Sequence, residues 1–209
     1  MRILITGGTG FLGKRLAKEA QRRGAQVAVL SHNVDDEERK RGNLGARLSD
    51  DEFRQLGIKV IEGDILNREQ LKNAFAGYDV VYHLAAELDE SSPDLWQVNV
   101  EGTRNVVNAC KASGVKRLIF ASAIGVLGES GTPLDENAPY APETKYEKSK
   151  AAAEKLVVSS DVSYTIARMP PILGPNKIWR QIFRAAQKNY PIIGSGNNHW
   201  PLVYVGDVI

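Results

Sequence analysis

The chain is short of cysteine, of net charge and of long hydrophobic runs, and each shortage excludes something. Cys110 is the single cysteine among 209 residues, so no intramolecular disulfide can form. That usage suits a reducing compartment, and a cytoplasmic location is expected. Cys110 lies in the helix-like stretch VVNACKASG and reads as a small buried hydrophobe. The formal net charge of +2 is too small to draw the chain to nucleic acid or to an anionic membrane surface. No apolar run approaches the roughly 20 residues that span a bilayer. A glycine-rich turn begins at residue 7, so no signal peptide is expected. Internal repeats and low-complexity tracts are also missing. Hydrophobic residues at 43% and charged residues at 25% describe an ordinary soluble domain with a real core.

The core follows a regular rhythm. Apolar runs at 2–6, 26–30, 58–64, 78–86, 115–122 and 163–168 alternate with helical patterns at 10–24, 67–76, 93–114 and 145–160. The runs are apolar almost throughout, as in strands buried on both faces of a parallel sheet. Strand–helix alternation with short links predicts an α/β fold, a doubly wound parallel sheet of the Rossmann type. Residues 31–54 break the rhythm with dense charge of both signs. They read as a long surface loop with a short helix, either a solvated insertion or a lid beside a cofactor. After residue 168 the composition turns to proline and glycine in RMPPILGPNK, with a helix at 178–189 and a strand near 202–205. We therefore divide the chain into a dinucleotide domain, 1–168, and the start of a smaller substrate-binding lobe, 169–209.

Gly7, Gly10 and Gly13 stand at three-residue spacing in ITGGTGFLGKRL, directly after the first strand and at the mouth of the first helix. Glycine serves where the turn is tight, where backbone approaches phosphate and where helix packs on strand. The helix N-terminus offers N–H groups and a positive dipole end to a pyrophosphate. This context makes the triplet a dinucleotide site, for NAD or NADP. An NAD site places Asp or Glu at the end of the second strand, to accept from the ribose 2′-hydroxyl. Here Ser31 and His32 stand there, with Arg39, Lys40 and Arg41 further on, so the expectation leans to NADP. Asp64 ends the third strand, placed to accept from an adenine amino group or to form a turn. Tyr146 and Lys150 in KYEKSK lie four apart on one helix face. A nearby cation favours the phenolate, so Lys150 is expected to lower the Tyr146 pKa and ready it for proton exchange.

The sequence resembles an extended short-chain dehydrogenase/reductase. The resemblance rests on TGGTGFLG, GD at 63–64, HLAA at 83–86, NVEGTRNVVNAC at 99–110, YEKSK at 146–150, RMPPILGP at 168–175 and VYVGDV at 203–208, in that order. It implies hydride transfer on a small molecule, a nucleotide sugar before others, with a lipid, steroid or flavonoid-like ketone as the alternative. A dinucleotide-binding scaffold or sensor with little turnover is a further alternative. Tyr146 would be the acid/base, with Lys150 on the nicotinamide ribose. Gly7, Thr9, Gly10, Phe11, Leu12 and Gly13 would hold the pyrophosphate. Ser31, His32, Asp64 and Ile65 would flank the adenosine. Leu84, Ala85, Ala86, Asn99, Ala121 and Pro170 would line the remaining cofactor groove. His83 reads as a packing residue at a strand end. Ser122 is a candidate catalytic hydroxyl, but the register of the resemblance puts the usual Ser or Thr on Ala123. Neighbours on an extended strand point to opposite faces, so Ser122 is expected to support the fold or the cofactor edge. Relatives continue past the VYVGDV motif, so a C-terminal part is expected to be missing, and their pairing through two helices implies a homodimer.

Overall fold

The fold was analysed in a computed structural model, which describes residues 1–32, 50–188 and 200–209. Six strands form one sheet: β1 (Arg2–Thr6), β2 (Gln26–Ser31), β3 (Lys59–Glu62), β4 (Val80–His83), β5 (Arg117–Ala123) and β6 (Tyr164–Met169). Their spatial order is β3-β2-β1-β4-β5-β6, and every pair is parallel. The order reverses between β1 and β4, so a crevice opens above their C-terminal ends, where ligands bind in open α/β sheets. The expected doubly wound Rossmann sheet is therefore present. Among the described residues no helix is long and apolar enough to cross a membrane.

The apolar runs divide between two layers because strand side chains alternate. Leu4, Ala28, Leu30, Val81, Leu118 and Phe120 face one layer. There they meet α3 (Arg68–Phe75), α4 (Gly102–Ala112) and α5 (Lys145–Val158) through Leu71, Phe75, Val106, Cys110, Ala153 and Val157. Ile3, Ile5, Val27 and Val29 face the other layer. They pack on Ala17 and Ala20 of α1 (Gly13–Arg22) and on Phe53 of α2 (Asp50–Gln55). Cys110 is fully buried, and burial pushes its thiol up to about 12, which leaves it an inert core residue.

Two elements that position the cleft depart from the sequence reading. The long fourth helix opens with a wide π-type turn at Gln97–Glu101 before α4 begins, which buries Asn99 and Val100. RMPPILGPNK, expected to be loop, contains β7 (Ile172–Leu173), which pairs in parallel with β8 (Val203–Tyr204). Pro170 and Pro171 set extended backbone into β7, and the Pro171 carbonyl accepts from Val203 N at 3.3 Å. Between these strands lies α6 (Lys177–Gln187), and after them the short α7 (Val205–Val208). Most of residues 31–54, with Asp35, Arg39, Lys40 and Arg41, and also His199, lie outside the described residues.

Candidate active site

A cleft of about 2340 Å³ runs along the C-terminal ends of the strands, from Asp64 at one end to Trp200 at the other. A single drug-sized site takes roughly 300–1,000 Å³. The cleft is long enough for two ligands end to end. A second cavity, about 730 Å³, lies at the N-terminal ends of β1, β2 and β3 beside Arg2, Gln26 and Lys59 and holds none of the motif residues.

One end is the glycine turn. Gly7 takes a φ of +68°, and a Cβ there would meet Ala85 N at 2.6 Å. A Cβ on Gly13 would meet the Gly7 carbonyl oxygen at 2.3 Å. Both glycines are thus required by backbone contact. Phe11 is pinned in the turn by Arg15, whose guanidinium donates to the Phe11 carbonyl at 2.7 Å and sits 4.3 Å from the ring centroid. Helix α1 begins without a side-chain cap, so its N-terminus is open toward the cleft. Thr9, Gly10, Phe11, Leu12, Leu30, His32, Asp64 and Ile65 continue this wall. Ser31 does not reach it: alternation along β2 presents Leu30 and His32 and buries Ser31. Asp64 forms a turn, the second of its two readings, accepting from Leu66 N at 2.9 Å through Oδ1, while Oδ2 lies 3.5 Å from His32 Nε2.

The middle wall is Leu84, Ala85 and Ala86, held from beneath by a chain of hydrogen bonds. Thr6 Oγ1 lies 2.7 Å from His83 Nδ1, and His83 Nε2 lies 3.0 Å from Thr103 Oγ1. Thr103 donates onward to the Asn99 carbonyl at 2.6 Å, so Nε2 must carry the ring proton and Nδ1 must accept from Thr6. Asn99 grips the Glu87 backbone in both directions and donates to Ser149 Oγ, which in turn donates to the Tyr146 carbonyl at 2.6 Å. Asn99 thus lies behind the wall and not in it. His83 is more than the packing residue expected. Burial holds it neutral, with its pKa pushed down to about 3.

At the other end stand Tyr146 and Lys150 on α5, with Ala121, Ser122 and Ala123 on β5 and Pro170 after β6. Lys150 is buried and its ammonium sits 4.1 Å from the centre of the Phe120 ring. Burial lowers its pKa to about 7, opposed by the charge of Glu154. Tyr146 does not behave as expected: burial raises its pKa to about 12. Desolvation is the cause of the shift, and Tyr146 holds its proton. Ser122 borders this wall, and its Oγ is buried without a hydrogen-bond partner among the described residues.

Sequence reasoning missed Glu154. It is fully buried and accepts from Arg168 at 2.8 Å and from the Tyr140 hydroxyl at 2.8 Å. Its spacing of one helical turn from Lys150 was the available signal.

Comparison with known proteins agrees with this geometry. The NAD dependent epimerase/dehydratase family matches residues 3–209. The chain belongs to that family. As a family member it is 31% identical over 99% of its length to an N-acetyl-alpha-D-glucosaminyl-diphospho-ditrans,octacis-undecaprenol 4-epimerase of Escherichia coli O157:H7, covering 60% of that protein. It is 33% identical over 99% of its length to a sterol-4-alpha-carboxylate 3-dehydrogenase, decarboxylating, of Saccharomyces cerevisiae, covering 62% of it. The chain thus spans about three fifths of these curated relatives. A UDP-glucuronic acid 4-epimerase of Bacillus cereus, solved with UDP-glucuronic acid and NAD, superposes with a TM-score of 0.81 at 25% identity, over the whole chain and 70% of the other.

Proposed function

We propose that this family member exchanges a hydride between NAD(P) and a substrate carbon bearing a hydroxyl or carbonyl group, with Tyr146 as proton partner. The carrying observation is the setting of Tyr146 and Lys150 in one cleft with the Gly7–Gly13 cradle. The cleft fits a dinucleotide: glycine positions that a Cβ would fill and an uncapped helix N-terminus border it. Gly7, Thr9, Gly10, Phe11, Leu12 and Gly13 would hold the pyrophosphate, Asp64 and Ile65 the adenine, Leu84 to Ala86 the groove, Lys150 the nicotinamide ribose and Pro170 the ring edge. The bound nicotinamide supplies or accepts the hydride. Tyr146, protonated with a pKa of about 12, gives its hydroxyl proton to the carbonyl oxygen during reduction and recovers it from solvent. Lys150 stabilises the resulting phenolate. Ala123 brings no second hydroxyl to the carbonyl, so Tyr146 bears the proton transfer alone among the residues of that wall.

Two observations support NADP as the preferred form. No carboxylate ends β2, whose last residue Ser31 is turned inward, and the residue that faces the cleft after it is His32. Neighbours solved with UDP-sugars support a nucleotide-sugar substrate, whereas a curated sterol dehydrogenase supports an apolar one. The test is Tyr146→Phe. Turnover should fall by about 10²–10⁴-fold, while the Kd for NADPH, read by fluorescence titration, stays within twofold or so and below that for NADH. Retained turnover removes Tyr146 from the role assigned. Tighter NADH binding reverses the cofactor preference.

A further inference from the structure

Glu154 is a buried carboxylate close to the proton-transfer site. It lies one helical turn beyond Lys150 on α5, so the two side chains share a face. Both are buried, Lys150 at 2% exposure and Glu154 at 0%. The carboxylate is fixed in place. Arg168 Nη2 and the Tyr140 hydroxyl each donate to Glu154 Oε2 at 2.8 Å, and Arg168 Nε donates to Oε1 at 3.2 Å. A carboxylate so held keeps its charge inside the layer between α5 and the sheet.

Lys150 needs such a partner. Its ammonium rests 4.1 Å from the centre of the Phe120 ring and makes no hydrogen bond or ion pair among the described residues. An aromatic face returns only part of the hydration that a buried ion gives up. The neighbouring elements bring little charge of the right sign. His83 on β4, whose ring lies 5.6 Å from that of Phe120, is neutral. Ser122 on β5 brings a hydroxyl, and the π-type turn brings the amide of Asn99 to Ser149. Tyr146 on α5 holds its proton, and Tyr140 spends its own on Glu154. Glu147, one turn before Lys150, turns its carboxylate back onto the helix start, accepting from Glu143 N at 2.9 Å and Thr144 N at 3.0 Å. Arg168 on β6 is a cation, but part of its side chain reaches solvent, which screens it. Glu154 remains, and its charge opposes the burial that would strip Lys150 of its proton.

We infer that Glu154 is a positioning residue of this site: its buried carboxylate keeps Lys150 as the ammonium ion that the nicotinamide ribose and the Tyr146 phenolate require. This rests on the hydride-transfer reading above, in which Lys150 holds the ribose and balances the phenolate. Glu154 does not line the cleft and acts through Lys150. A neutral amine in place of the ammonium ion lacks the charge that favours the phenolate, so Tyr146 gives up its proton less readily.

The ionisation of Lys150 can be read directly in the free protein. Protein labelled with ¹³C at lysine Cε is titrated by NMR, and the Lys150 signal is the one lost in Lys150→Arg. Glu154→Gln keeps the size of the side chain and an oxygen for Arg168 and Tyr140, and removes the charge. The Lys150 midpoint should fall by about one pH unit or more in Glu154→Gln. It should fall also in Glu154→Met, which serves if the amide variant does not fold. A midpoint that stays or rises in the folded variant overturns the assignment and leaves Glu154 a structural residue. The Kd for NADPH, followed by fluorescence from about pH 5 to about pH 9 in wild type and variant, separates this inference from the reading it rests on. Affinity should weaken as pH rises through the Lys150 midpoint, and this weakening should begin at lower pH in the variant by the same interval. A lowered midpoint with an affinity that responds alike in both proteins sustains the hold of Glu154 on Lys150 and counts against Lys150 as the ribose ligand. An unmoved midpoint, with affinity still weakening through it, overturns the role of Glu154 and leaves the hydride-transfer reading standing.

Discussion

At the residue scale, His83 shows how a buried polar group sets both geometry and pH response. Its two ring nitrogens connect Thr6 on β1 to Thr103 on α4. Through Asn99 and Ser149 the same chain of bonds reaches the Tyr146 backbone. The glycine turn, the Leu84–Ala86 groove and the proton donor are thereby indexed to one another. A ring with one donor and one acceptor fits this place, and an imidazolium with two donors does not, because the Thr6 hydroxyl already donates to Nδ1. Burial, the first cause, and the Lys150 charge both push the pKa down, to about 3 from the usual 6.5. The unfolded chain therefore takes up a proton near pH 6.5 while the folded chain refuses it until about pH 3. The unfolded state binds more protons between those limits, so stability falls as pH drops through that window. The interval from about pH 6.5 to 5 separates this effect from the carboxylates, which titrate near 4. Urea unfolding should show a loss of about 1–2 kcal/mol across that interval in wild type, and a flat profile in His83→Phe. An equal slope in both proteins removes His83 as its source.

At the element scale, the strands and helices were readable because each obeys one local rule. β1 is apolar at consecutive positions because both faces of the sheet are covered, and its limits match the sequence expectation of 2–6. The parts that were not readable depend on contacts distant in sequence. Two-residue strands such as Ile172–Leu173 have no period to detect. Ser31 was placed by its position at the end of β2, but the strand's alternation turns it inward and gives the cleft to Leu30 and His32. The acidity of Tyr146 follows from packing around α5, which no spacing reveals. The glycine turn was readable in composition, and the structure separates its glycines by function. Gly13→Ala places a methyl group 2.3 Å from the Gly7 carbonyl, with Gly8 Cα at 2.7 Å, all backbone that cannot swing aside. It should cost about 1–3 kcal/mol and weaken dinucleotide binding by roughly tenfold or more. Gly24→Ala meets nothing within 4 Å, though its φ is +83°. It should cost about 1 kcal/mol of backbone strain and leave dinucleotide affinity unchanged. Calorimetric Tm and NADPH titration check both. Equal loss of affinity in the two variants places the effect in α1 stability and not in the cradle.

At the scale of the whole molecule, one buried charge pair joins three elements beside the cleft. Glu154 on α5 is fully buried, and Arg168 on β6 keeps 19% of its side chain accessible. The guanidinium donates to Glu154 and to the Glu136 carbonyl at 2.8 Å, and it stacks 5.3 Å from the Tyr140 ring centre. It therefore ties the sheet edge, the Tyr146 helix and the 129–144 segment beside the cleft into one unit. A buried pair adds little net stability over an apolar replacement, because desolvation offsets attraction, but removing one partner strands the other charge. Arg168→Met leaves the Glu154 carboxylate without its cation and the Glu136 carbonyl without its donor. It should destabilise the fold by about 3–5 kcal/mol. Glu154→Met leaves a guanidinium that reaches solvent, and should cost less. The double variant Glu154→Met/Arg168→Met should recover most of the Arg168→Met loss. Recovery of stability need not recover the site, because the 129–144 segment still lacks its anchor. Turnover of NADPH should therefore remain reduced in the double variant when its Tm has returned. If turnover returns in step with Tm, the pair acts through fold stability alone, and the anchoring of 129–144 is not what shapes the cleft.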